Sequence, residues 1–123
     1  MGLASLAASR YLEDISIMDI PTEYASHSFV TLFPGDCLRF LSTIPNGEAK
    51  LIVTSPPYNI GKKYEKKKIL GEYIAEQEQT IDECVRLLSP QGSICWQVGN
   101  HVDGQEIYPI DILLYPVFKK KVC

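Results

Sequence analysis

This sequence predicts an α/β layered fold, a mostly parallel sheet flanked by helices, and three observations carry the prediction. Short β-rich apolar runs alternate with longer segments of helical spacing, clusters of Pro, Gly and Asn separate them, and the run Lys50 to Thr54 has the unbroken apolar character of a strand buried on both faces. At 123 residues, with 46% apolar and 22% charged side chains, the chain has ordinary globular usage, which excludes a disordered, collagen-like or disulfide-packed protein.

Taken in order, residues 1–28 read as an amino-terminal extension, with a short helix over Ala4 to Leu12 and a break at Pro21. Residues 29–123 read as the domain proper. Phe29 to Phe33 is a β-rich run stopped by Pro34-Gly35, and Asp36 is placed to cap a helix carrying Cys37, Leu38, Phe40 and Leu41. Pro45-Asn46-Gly47 makes a turn into the strand Lys50 to Thr54. From Glu72 to Leu88, Ile74, Ile81, Cys84, Val85 and Leu88 recur at helical spacing until Ser89-Pro90-Gln91-Gly92 stops the helix. Ser93 to Val98 is a second strand, with Ile94, Trp96 and Val98 on one side, and Gly99 to Glu106 reads as a loop. Tyr108 to Phe118 fits a last helix, with Pro109 in its first turn and Pro116 at its end.

Several function classes fall away on composition. The four cysteines form no Cys-x-x-Cys pair and only two histidines are present, so no zinc spacing can be assembled and reduced thiols are expected. A net charge of −3 argues against nonspecific coating of nucleic acid while leaving room for a local basic patch. No apolar run approaches the roughly 20 residues of a membrane span. Met1 to Ala8 lacks a basic start, and Leu6 stands where a myristoylation signal needs Ser or Thr, so a cytoplasmic protein is expected.

The chemistry concentrates in Ser55-Pro56-Pro57-Tyr58, which leaves the carboxyl end of the first apolar strand, where open sheets bind ligands. Consecutive prolines hold the segment extended and remove two N–H donors, so it presents acceptors: backbone carbonyls beside the Ser55 hydroxyl. Tyr58 adds an aromatic face. Such a site suits a planar ring with an exocyclic amine, whose protons would go to the Ser55 oxygen and the Pro56 carbonyl while Tyr58 stacks on the ring. Taking those protons favours a tetrahedral nitrogen and localises its lone pair for attack on an electrophile, with no metal and no covalent intermediate.

At these residues the sequence resembles the amino-methylating DNA methyltransferases. Thr54-Ser55-Pro56-Pro57-Tyr58-Asn59 is similar to their catalytic motif, and Gly35-Asp36-Cys37-Leu38, Asn59-Ile60-Gly61-Lys62, Leu87 to Gly92 and Val98 to Val102 follow in the order of the group whose catalytic motif precedes the cofactor motif. The resemblance covers about Phe29 to Lys119. It implies a partial Rossmann-like methyltransferase fold, S-adenosylmethionine as cofactor, and double-stranded DNA as partner, with the target base flipped. Ser55 and Pro56 would receive the amine, Pro57 would shape the loop and Tyr58 would stack. Asp36 and Thr54 would lie on the cofactor side, and Asn59, Lys62 and Lys63 on the DNA side. Ser55, where many members carry Asp, favours N4 of cytosine over N6 of adenine.

One departure matters. The family's aromatic-Gly-x-Gly cofactor turn is absent, since no Gly-x-Gly occurs in the chain. The resemblance therefore implies an incomplete catalytic domain: a truncated product, an amino-terminal fragment or half of a split enzyme. The alternative function is an inactive remnant that acts through a partner chain or as a homo-oligomer. The basic run of Lys62, Lys63, Lys66, Lys67 and Lys68 would hold phosphates or stand as a solvated loop. Trp96 is expected in the core, and Asn100 and His101 either in a turn at the surface or along the active-site groove.

Overall fold

The computed structural model describes residues 20–61 and 66–122. The helix expected over Ala4 to Leu12 lies outside these residues, as do Lys62 and Lys63. The chain divides into two compact units, Met1–Gly35 and Asp36–Cys123.

In the described part of the first unit, the Ser28 N–H donates to the Ala25 carbonyl at 2.9 Å and the Leu32 N–H to the Pro21 carbonyl at 3.0 Å. The strand expected over Phe29 to Phe33 does not form. Its residues have strand propensity, but among the described residues no neighbouring strand supplies the ladder that turns propensity into structure, and Phe29 stays 94% exposed.

The second unit opens with α1, Cys37–Leu41, capped as expected by Asp36, whose Oδ1 accepts from the Arg39 N–H at 3.1 Å. No side chain of this five-residue helix is fully buried, although Leu38, Phe40 and Leu41 are half-buried, and polar contacts add to their packing. Arg86 supplies them: its guanidinium donates to the carbonyls of Leu41 at 2.8 Å and Ile44 at 2.9 Å and to Asn46 Oδ1 at 2.7 Å. Glu83 Oε2 accepts from the same guanidinium at 2.8 Å and fixes its plane. Gly47, at φ 74°, closes the turn with its N–H on the Arg86 carbonyl.

Strand β1 is Ala49–Thr54, helix α2 is Leu70–Leu87 and strand β2 is Leu88–Trp96; β1 and β2 pair in parallel, so the three make a βαβ unit. The Ser89 to Gly92 stretch ends α2 as expected, but it lies within β2 rather than in a free turn. Ala49 faces Leu88 and Leu51 faces Ser93, so two steps along β1 oppose five along β2, and the surplus forms a bulge. Gly92 is required there, because a Cβ would come within 2.9 Å of the Ala49 carbonyl oxygen.

Instead of a loop, residues after Gly99 form an antiparallel hairpin of β3, Asn100–Asp103, and β4, Glu106–Pro109, turned through Gly104 at φ 61°. Helix α3, Ile110–Val122, then runs past Pro116, where the sequence predicts an end. Pro116 and Ile112 are both exposed, so water can serve the carbonyl that the proline leaves unpaired, while Leu114 and Val117 hold the buried side.

The core is Tyr73 and Ile81 of α2 with Ile110, Leu114 and Val117 of α3, and Trp96 and Val98 pack against it from the sheet. Trp96 meets Phe118 edge to face, 5.7 Å between centroids. The prediction that β1 is buried on both faces is corrected. Leu51 is 61% and Val53 70% exposed, because only the face bearing Ile94 and Trp96 is covered by helices.

Candidate active site

Ser55 to Tyr58 leaves the carboxyl end of β1, where the Thr54 carbonyl still accepts from the Gln97 N–H at 2.9 Å. The two strand ends are therefore tied together at the site. Ser55 and Pro57 are exposed, and Pro56 and Tyr58 are half-buried. The Ser55 hydroxyl and the Tyr58 hydroxyl are 2.6 Å apart. If Ser55 donates to the phenol, both of its lone pairs stay available to an incoming N–H. The Tyr58 ring lies against Gly99, where an added Cβ would fall 3.6 Å from the ring edge, so the second strand's exit bounds the ring.

Two residues fix this loop from behind. The Tyr73 hydroxyl, on a side chain 4% exposed, donates to the Pro57 carbonyl at 2.8 Å. Asn59, at φ 58° and 2% exposed, donates from Nδ2 to the Lys68 carbonyl at 2.8 Å and accepts from the Lys68 N–H at 2.7 Å. This reciprocal pair ties Asn59 to Lys68. Lys68 pairs with Glu76 of α2, and Lys67 Nζ lies 3.2 Å from Asp103 of β3. A cavity of about 190 Å³ opens behind Pro57, and Gln77 of α2 reaches its wall with an oxygen that lacks a partner.

The structure thus brings Ser55, Pro56, Pro57 and Tyr58 together at one surface and gives Asn59 an interior position. Asp36 stands at the start of α1, exposed, with one carboxylate oxygen on its cap bond. Sequence reasoning missed Tyr73, although its signal was present: Tyr73, Gln77 and Ile81 share one face of α2 at four-residue spacing, and a buried phenol needs a partner for its tip. It also described His101 as a turn or groove residue; the side chain is 2% exposed, set against the Tyr108 ring at 5.9 Å.

Among the described residues, no group of three metal-ligating side chains occurs. Burial, with Cys37 and Glu83 nearby, pushes the Cys84 thiol from its ordinary 9.0 to about 11, which keeps it protonated and unreactive at neutral pH. No described helix is long and apolar enough to cross a membrane.

Residues 49–121 match the family model described as DNA methylase, N6 and N4. The chain belongs to the N4/N6 DNA methylase family. Similarity to curated proteins agrees. The methylase chain is 39% identical over 101 residues to the type II methyltransferase M.BglII of Bacillus subtilis, covering 81% of this chain and 28% of the relative. It is 41% identical over 76 residues to M.ScaI of Streptomyces caespitosus, covering 62% and 25%. With the DNA adenine methyltransferase YhdJ of Escherichia coli it shares 35% over 80 residues, covering 60% and 26%. The methylase chain therefore spans about a quarter of the length of these relatives. A solved PvuII DNA methyltransferase, cytosine-N4-specific, superposes with a TM-score of 0.61 at 20% identity, over 84% of this chain and 37% of that one. Its fold is the expected α/β methyltransferase fold.

Proposed function

We propose that this methylase chain is the amine-receiving part of an S-adenosylmethionine-dependent DNA methyltransferase that acts on a flipped base, N4 of cytosine in preference to N6 of adenine. The observation that supports this reading best is the exposed Ser55, whose hydroxyl is hydrogen-bonded to the Tyr58 phenol at a strand's carboxyl end. The amine's two N–H groups donate to the Ser55 oxygen and the Pro56 carbonyl, and Tyr58 stacks on the base. Localising the amine lone pair is the chain's catalytic contribution, because it strengthens as positive charge grows on nitrogen. The preference for cytosine rests on serine at position 55.

The cofactor, when bound, supplies an electrophilic methyl group on a positively charged sulfur. The donor set here fits one edge of it: the Asp36 carboxylate, exposed beside α1, suits an ammonium or a pair of hydroxyls, and Thr54 sits beneath the motif. The glycine cradle of the family is not in this sequence. On the DNA side, Lys62 and Lys63 hold phosphates, and Asn59 contributes by pairing with Lys68. A second reading, raised by the exposed Leu51 and Val53, is that a complementing chain or second copy packs on this face of the sheet.

The test is transfer of labelled methyl from S-adenosylmethionine to unmethylated duplex DNA, with the product nucleoside identified by mass spectrometry. N4-methylcytosine is expected, and Ser55→Ala or Tyr58→Ala should lower the rate by about two orders of magnitude or more. Rates untouched by both substitutions overturn the assigned roles, and transfer to adenine overturns the base preference.

A further inference from the structure

We infer that Tyr73 is a positioning residue for methyl transfer: by holding the Pro57 carbonyl from inside the core, it sets where the Pro56 carbonyl and Ser55 hydroxyl meet the target amine. This rests on the reading of Ser55 to Tyr58 as the amine-receiving loop.

Pro56 and Pro57 have no N–H, so the loop cannot be fixed by donating at those two positions. Among the described residues, the hydrogen bond that reaches Ser55 to Tyr58 from another element is the one from Tyr73, 2.8 Å to the Pro57 carbonyl. Packing does little at Pro57 itself, which is exposed and borders a cavity of about 190 Å³. The donor itself cannot wander. The Tyr73 ring is 4% exposed in the core cluster with Ile81 and Ile110, and its N–H closes the first turn of α2 on the Ile69 carbonyl at 3.1 Å. Only ψ of Pro57 can turn between the Pro56 and Pro57 carbonyls, because φ of Pro57 is set by its ring, and the hydrogen bond on the Pro57 carbonyl restrains that one torsion. A small rotation at Pro57 would therefore swing the acceptors away from the amine, and misplacement on that scale is costly for a transfer that depends on alignment.

Tyr73→Phe keeps the ring and removes only the donor. In amide NMR spectra of the full chain, the Ser55 and Tyr58 resonances should move or broaden while those of Ile81 and Leu114 stay in place. With labelled cofactor and unmethylated duplex, kcat should fall about tenfold to a hundredfold, with KM for DNA changed less than about twofold. Ile81→Val, which loosens the same core without touching the loop, should leave kcat unchanged. Unmoved Ser55 and Tyr58 resonances, or a kcat loss equal to that of Ile81→Val, would overturn the proposal. If the unsubstituted chain transfers no methyl, the functional reading fails by itself, and the spectra still decide whether Tyr73 sets the loop.

Discussion

Pro56 and Pro57 remove two N–H donors from the exit of β1, and the residues around them divide into those that meet solvent and those that hold the loop. The first group is the one the sequence singles out, because Ser, Pro and Tyr carry their properties anywhere: a hydroxyl, a fixed φ, a ring. The second it leaves unmarked. Asn59 looks like a polar loop residue available to DNA, yet its left-handed backbone and buried amide serve Lys68, a contact across nine residues that no local pattern announces. Tyr73 is hidden in the same way within an ordinary amphipathic stripe. A third residue-scale feature has a pH signature. Cys84 keeps its proton in the folded chain to about pH 11, whereas the unfolded thiol releases it near its ordinary 9.0. Above pH 9 the folded state thus binds more protons than the unfolded one, and stability falls as pH rises from 9 to 11, by about 2–3 kcal/mol at most. Urea denaturation at pH 8 and pH 11 should show this drop in the parent chain and a smaller one in Cys84→Ala; equal drops would refute it.

Among the elements, β1, α1 and α2 formed where cap, turn and spacing signals agreed, and the failures had physical causes. Phe29 to Phe33 has propensity without a partner strand. The β3–β4 hairpin turns through the two residues Gly104 and Gln105, a signal the sequence carries, but the flanking His101 and Tyr108 do not read as a strand alternation. Helix α1 is the element whose survival depends on the fewest groups. It has no fully buried side chain, and Arg86 reaches two of the carbonyls at and beyond its end through a planar fork. Arg86→Lys keeps the charge and loses the fork, so it should cost about 2–3 kcal/mol and speed amide exchange across Leu38 to Ser42 ahead of the α2 core. Uniform exchange at both places would show that α1 is held by something else.

At the scale of the molecule, the α/β class and its parallel pair followed from alternation, but burial did not. A strand written for two covered faces has one, and the other carries Leu51 and Val53 beside Cys95, while a groove of about 430 Å³ lies on the helix side along Trp96, Leu114 and Phe118. Val53→Lys should change unfolding free energy by no more than about 0.5 kcal/mol in the isolated chain, as at any solvated site, and a loss of several kcal/mol in denaturant titrations would contradict the exposed face. Tolerance at positions 51 and 53 then becomes a gauge. Where a library of variants grown in living cells accepts charge at these two sites, the sheet works bare; where it rejects charge, something in the cell is pressed against it.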